Sequence, residues 1–196
     1  MKTTFAVLAL LVIPTISPAQ ADKARPHVTP ADVHFIQGMI THHAQALVMA
    51  ALVPTHTTRD DLLLFAKRIE VSQQDEIVAM RRWLGSHHQP LQDMDAMHER
   101  HDSAGTMEML MPGMLTADQL AQLSAARGPA FNQLFLRFMI QHHEGALTMV
   151  SQLFGTTGAG QDSEMFRFAS EIESDQDAEI MRMRTMLAAP SLPNTH

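Results

Sequence analysis

The sequence lacks cysteine and tyrosine altogether and has a single tryptophan among its 196 residues. Without cysteine, the chain has no disulfide, no thiolate metal ligand and no lipid anchor carried on an N-terminal cysteine. A blue-copper centre needs a cysteine ligand and is excluded for the same reason. Basic residues are also scarce, since 14 Lys and Arg stand against 21 Asp and Glu, giving a net charge of −7. The basic footprint of a nucleic-acid-binding protein is therefore absent.

Long apolar runs are confined to the N-terminus, where Lys2 precedes the unbroken stretch 5–13 and Ala19-Gln20-Ala21 follows it. This arrangement is typical of a secretory signal peptide, and the apolar stretch is too short to span a bilayer. The sequence predicts a signal peptide at 1–21, cleaved after Ala21, and a single exported domain at 22–196. We expect a periplasmic protein without membrane insertion after cleavage.

Methionine and histidine are abundant instead, with 16 Met and 12 His in the chain. A thioether is a soft ligand that needs no deprotonation, and imidazole suits copper and other borderline metals. Composition therefore indicates a metal site without proving one.

The chain contains an internal repeat. It consists of two halves, and each half has two segments. In the first segment, eight residues recur: Phe35, Met39, Ile40, His42, His43, Ala46, Leu47 and Met49 return as Phe135, Met139, Ile140, His142, His143, Ala146, Leu147 and Met149. In the second, ten recur: Phe65, Ala66, Ile69, Glu70, Gln73, Glu76, Ile77, Met80, Arg81 and Leu84 return as Phe168, Ala169, Ile172, Glu173, Gln176, Glu179, Ile180, Met183, Arg184 and Leu187.

All four segments show helical periodicity and helix-end signals. Thr29-Pro30 predicts the start of the first helix and Pro54 its end, Thr58 predicts the start of the second, and Asp162 or Ser163 that of the fourth. Thr116 with Gln119 predicts a short extra helix. The fold class is therefore all-α: a four-helix bundle built from two pseudo-repeated helix pairs, at about 30–85 and 129–188. A long Met/His-rich crossover, 86–128, connects the pairs.

Helical spacing places two adjacent histidines of each first segment on the apolar stripe of their helix. The second helix of each pair brings a glutamine and a glutamate to its own stripe. The candidate metal residues of the helices are Met39, His42, His43, Met49, Glu76 and Met80 in one half, and Met139, His142, His143, Met149, Glu179 and Met183 in the other. Buried polar groups need partners, so these side chains either bind metal or form a hydrogen-bonded structural layer. A third arrangement has the glutamate orienting a metal-bound imidazole.

The crossover supplies a second group of candidates among polar neighbours that would not build a core. These are Met94, Met97, His98, His101, Met107, Met109, Met111 and Met114. Clustered thioethers are the donors that Cu(I) and Ag(I) favour. The alternative is a tether that happens to be rich in methionine.

Several enzyme signatures are missing from the sequence. No Glu-x-x-His occurs, which excludes the usual di-iron carboxylate bundle, and there is no His-Glu-x-x-His, phosphate loop or nucleophile elbow. We therefore expect no catalytic residues and no enzyme activity.

The stretches 39–46 and 135–146, with Met111-Pro112-Gly113-Met114 and Gln176-x-x-Glu179, resemble a known family. It is the ferritin-like domain-of-unknown-function family with a twin Met-x-x-His-His signature that includes the CopM-type periplasmic copper-binding proteins. The resemblance covers about residues 31–188. It implies a four-helix bundle, export to the periplasm and, in the characterised branch, copper and silver binding linked to metal resistance.

Together these observations predict a periplasmic protein that binds Cu(I), or alternatively Cu(II) or Ag(I), for sequestration, resistance or delivery. A copper exporter or cuproprotein is the expected partner besides the metal ion. Two alternatives remain open at this point: a ferritin-like redox metalloenzyme, and an envelope stress or interaction protein whose polar core is purely structural.

Overall fold

The computed structural model describes residues 28–91 and 111–188, which form five helices and no strand. They are α1 (Pro30–His56), α2 (Asp60–Ser86), α3 (Ala117–Ala125), α4 (Gly128–Gly155) and α5 (Ser163–Ala188). The predicted all-helical bundle with one short extra helix is thereby confirmed. Of the helices described, none is both long enough and apolar enough to cross a membrane. The signal peptide predicted at 1–21 lies outside the described residues.

The start of α1 is set by a capping box. The Thr29 hydroxyl accepts from the Asp32 amide, and the Asp32 carboxylate accepts from the Thr29 amide at 2.7 Å. The predicted start is therefore confirmed, but the predicted end at Pro54 is wrong. The helix continues to His56 because the Thr57 amide still reaches the Val53 carbonyl at 3.2 Å, which completes the last turn beyond the proline.

The starts of α3 and α5 follow the sequence signals, whereas the start of α2 does not. Thr116 and Gln119 form the expected capping box of α3. Asp162 caps α5, since its carboxylate accepts from the backbone amides of residues 164 and 165 at 3.0 Å each. The start of α2 differs by one residue, because Arg59 rather than Thr58 occupies the N-cap position and makes no side-chain cap.

Within the part of the chain that the structure describes, the core consists of two apolar clusters. One joins the C-terminal half of α1, the N-terminal halves of α2 and α4 and the C-terminal half of α5. The other joins the opposite half of each of these helices. This division makes α1 antiparallel to both α2 and α4. Between the two clusters, at the middle of the bundle, lies a layer of polar side chains.

Candidate metal centre

The polar layer is built from the repeated histidines and the residues that face them. Its members are His42, His43, His142 and His143 from α1 and α4, Gln73 and Glu76 from α2, and Gln176 and Glu179 from α5. The four histidines are at most 1 % exposed. The rings of His42 and His142 lie against each other across the α1–α4 contact, with centroids 3.8 Å apart. The predicted burial of the histidines is confirmed, and the structure adds that the histidines of both repeat halves meet in one layer.

Every imidazole in the layer uses its Nε2 atom for a hydrogen bond. His43 Nε2 bonds the Glu76 carboxylate, and His143 Nε2 bonds the Glu179 carboxylate at 2.7 Å. His42 Nε2 donates to the Pro112 carbonyl at 3.0 Å. His142 Nε2 donates to the backbone carbonyl of His42 at 2.9 Å. The predicted glutamate partners are thus confirmed for one histidine of each pair, whereas the other histidine uses a backbone acceptor.

These partners fix the tautomers of the neutral rings. Carbonyl and carboxylate oxygens accept hydrogen bonds, so the proton of each neutral imidazole lies on Nε2 and the lone pair on Nδ1. All four Nδ1 atoms are buried without a hydrogen-bond partner among the described residues. Buried polar atoms are nearly always paired, so four unpaired Nδ1 atoms in one layer need an explanation. An imidazole that donates its other N–H to a carboxylate or backbone carbonyl is arranged as metal-binding histidines usually are.

Electrostatics keep the central pair of rings neutral. Burial lowers the pKa of His42 from 6.5 to about 3, with His43 and His143 adding to the effect and the Pro112 hydrogen bond opposing it. Burial also holds the pKa of His142 well below its ordinary value, and the other three histidines lower it further. A neutral imidazole is the form that binds metal, so these two rings keep the protonation state that metal binding requires in mildly acidic solution.

The same shifts predict how the metal-free protein responds to acid. A histidine whose pKa is lower in the folded state than in the unfolded state makes unfolding take up protons, so stability is complete above pH 6.5 and declines as pH falls toward 3. The slope contributed by one such residue approaches about 1.4 kcal/mol per pH unit. Urea midpoints measured from pH 7 to pH 4 should decline less steeply for His42→Gln than for the wild type. Equal slopes would contradict the assignment, since the carboxylates are common to both proteins.

Carboxylates line the layer on the side of α2 and α5. Burial raises the pKa of Asp175, and the charges of Glu76, Glu179 and Glu171 raise it further. The negative groups of the two repeat halves therefore lie close enough to repel one another. A cation approaching this side of the layer would meet a favourable potential.

The Pro112 carbonyl belongs to a tight turn that closes over the layer. The Met114 amide donates to the Met111 carbonyl at 3.1 Å, and Gly113 has φ +75°, which fits a type II turn with proline and glycine at its centre. Gln45 fixes Leu115, the residue that follows the turn. The Gln45 side chain accepts from the Leu115 amide at 2.7 Å and donates to the Leu115 carbonyl at 3.1 Å.

The turn packs directly on α4 at Gly145. A Cβ atom added to Gly145 would lie 2.0 Å from the Pro112 carbonyl oxygen, which is the acceptor of the His42 hydrogen bond. Glycine at 145, where the other repeat half has Gln45, therefore lets the turn reach the histidine layer.

The predicted methionine ligands of the helices divide between the two apolar clusters. Met39, Met80 and Met149 lie in one, and Met49, Met139 and Met183 in the other. A role for these thioethers in binding metal stays a prediction. Met111 and Met114 lie at the two ends of the turn. Met94, Met97, His98, His101, Met107 and Met109 lie outside the described residues.

The arrangement of the described side chains limits the kind of ion that the centre suits. Within residues 28–91 and 111–188, no group of three or more His, Cys, Asp or Glu side chains is arranged to hold a metal ion. Ions that require four or more such ligands therefore find no ready site there. A soft ion that accepts few ligands does not need such a group.

The fold and this layer define a class: an all-helical bundle whose core is crossed by paired histidines from two repeat halves. A family model described as a domain of unknown function (DUF305) matches residues 32–187, and the chain belongs to that family. The predicted membership of this family is confirmed. No curated protein matches the chain.

Solved structures with the same fold include members of the family. A DUF305 fragment from Deinococcus radiodurans is 30% identical, with 83% of this chain and 99% of that chain covered and a TM-score of 0.69. A DUF305 protein from Streptomyces coelicolor, assigned as secreted by prediction, is 27% identical over 81% of this chain and 92% of its own, with a TM-score of 0.65.

CopM is a third similar structure and was solved with copper. Its Cu(II)-bound form is 28% identical and its Cu(I)-bound form 26%, each aligned over 80% of this chain and 95% of that one. The TM-scores are 0.63 and 0.60, respectively.

Proposed function

We propose that this protein binds monovalent copper, or Ag(I) in its place, in the periplasm, and sequesters it or delivers it to a copper exporter or cuproprotein without catalysing a reaction. The observation that carries the proposal is the set of four buried imidazoles whose Nδ1 atoms have no partner among the described residues. The copper-bound forms of the related CopM support the choice of metal. The signal-peptide pattern of residues 1–21 supports the compartment.

Monovalent ions fit the layer better than divalent ones. Cu(I) and Ag(I) tolerate low coordination numbers and neutral ligands, whereas Zn²⁺ in structural sites is almost always four-coordinate. Burial keeps His42 and His142 unprotonated, so these two rings of the layer are neutral nitrogen donors. The hydrogen bonds His43–Glu76 and His143–Glu179 favour a second candidate function, in which the layer only fixes the register of the bundle.

Anaerobic titration separates these two functions. We expect the full-length protein to take Cu(I) from a competing chelator and to bind Ag(I) in the same range, with Zn²⁺ held much more weakly. Bound Cu(I) should raise the thermal midpoint, because a ligand that binds only the folded state stabilises it. If the midpoint is indifferent to Cu(I) and the chelator keeps all the copper, the layer is structural and the proposal is wrong.

A further inference from the structure

A cleft near one end of the α1–α4 contact lies outside the histidine layer. It has a volume of about 260 Å³, and its lining includes His34, Gly38, Met111, Pro112 and Met149. The sequence grouped Met111 with the crossover methionines and Met149 with the histidine stripe, and it did not select His34. The fold brings these three side chains to one cleft.

Gly38 is the point on which the two thioethers converge. A Cβ atom added there would lie 3.3 Å from the Met111 sulfur and 3.3 Å from the Met149 methyl carbon. His34 is exposed and precedes Gly38 by one helical turn on α1, so both residues face the same side of the helix.

The equivalent position in the other repeat half has apolar side chains in place of the residues that line the cleft. Gly38 corresponds to Phe138, His34 to Leu134, and the lining residue Gln152 to Leu52. All three counterparts are partly buried apolar residues packed against the other core cluster. The repeat is therefore broken at the positions that create the cleft and make it polar.

We propose that this cleft is a second metal site, in which Met111, Met149 and His34 bind a soft monovalent cation, Cu(I) or Ag(I). Two thioethers and an imidazole form a neutral, soft set of donors that hard divalent ions do not favour. The site extends the proposed function without depending on it, because no imidazole of the polar layer belongs to it. Its opening to solvent makes it reachable by an ion that has not entered the bundle core.

The test follows the methionine methyl groups of the full-length protein. The methyls are labelled with ¹³C, assigned by single Met→Leu variants, and titrated anaerobically with Ag(I), which is redox-inert. We expect the Met111 and Met149 signals to shift together, and the shift of Met149 to disappear in Met111→Leu. The pair should still respond in His42→Gln/His142→Gln, so that failure of the histidine layer and failure of this site are distinguishable.

Gly38→Ala provides the sharpest variant, because it keeps every ligand and moves only the thioethers. The new methyl group must displace both methionine side chains by a few tenths of an ångström. We expect the apparent Ag(I) affinity read from Met111 and Met149 to fall about tenfold or more, as for other changes that disturb ligand orientation. Gly155→Ala is the matched control, since no described atom lies within 4 Å of the added Cβ.

Three results would overturn the second site. The first is a lack of response of both methyls to Ag(I), which would make Met111 and Met149 plain apolar filling of the cleft. The second is an unchanged response in Gly38→Ala. The third is loss of the response in His42→Gln/His142→Gln, which would show one site rather than two.

Discussion

Replacing His42 and His142 together with glutamine should abolish Cu(I) binding at the polar layer while leaving the bundle folded. Glutamine carries its N–H donor at a position close to imidazole Nε2, so the hydrogen bonds to the Pro112 and His42 carbonyls are kept. It has no counterpart of the Nδ1 lone pair. We expect Cu(I) affinity to fall by more than about 100-fold, beyond the range seen when only outer-sphere partners are changed. Chelator competition and metal analysis measure the loss.

His56 offers a matched control for this double variant. It is a buried histidine of α1, 8 % exposed. Both ring nitrogens are hydrogen-bonded, Nδ1 to the Thr55 hydroxyl at 2.8 Å and Nε2 to the Ser124 carbonyl at 2.9 Å. His56→Gln should keep the full copper complement. The proposal would fail if the double variant retained its copper and only its urea midpoint fell, because that outcome assigns His42 and His142 to a structural layer.

The helical part of the fold was accessible from sequence because its causes are local and periodic. Apolar spacing placed His42 and His43 on a buried stripe, and the same spacing in α2 placed Glu76 opposite them. The His43–Glu76 contact then follows from packing two antiparallel stripes together. Capping residues gave the starts of α1 and α3 for an equally local reason.

The partners of the other two histidines could not be predicted in this way. His42 and His142 donate to backbone carbonyls, and a carbonyl is present at every residue, so no side-chain pattern marks the acceptor. The Pro112 carbonyl lies 70 residues from His42 along the chain. The Pro112-Gly113 dipeptide predicts a turn, but it does not predict which part of the bundle the turn contacts.

Departures from the repeat carried information that the matching positions did not. Gln45 and Gly145 occupy equivalent positions, yet one holds the Leu115 backbone and the other leaves space for the Pro112–Gly113 turn. Gly38 and Phe138 also occupy equivalent positions. Gly38 lines a cleft, whereas Phe138 packs against the core. A single turn that crosses a two-fold repeated bundle cannot make the same contacts with both halves, so the residues it touches have to differ.

Gly145→Ala should cause the largest loss of stability among the changes considered, because the turn and α4 are in backbone contact at that residue. The added Cβ would lie 2.0 Å from the Pro112 carbonyl oxygen, 2.4 Å from its carbonyl carbon and 2.6 Å from the Gly113 Cα. All three are backbone atoms, so no side-chain rotation relieves the clash and the turn must move away. That movement removes the acceptor from His42 and leaves a second nitrogen of a buried imidazole unpaired. Overpacking of this kind typically costs about 1–3 kcal/mol, and a buried donor left unpaired about as much again.

Urea denaturation of the metal-free protein measures this loss as a lower midpoint with an unchanged slope. Gly155→Ala, at the end of the same helix and with no described atom within 4 Å of its new Cβ, should leave the midpoint within about 0.5 kcal/mol of the wild type. Equal midpoints for the two variants would mean that the turn does not close over the histidine layer in solution. The release of bound Cu(I) is measured separately on the metal-loaded variants. If Gly145→Ala alone has the lower midpoint and also releases Cu(I) faster, the Met111–Leu115 turn retains the ion.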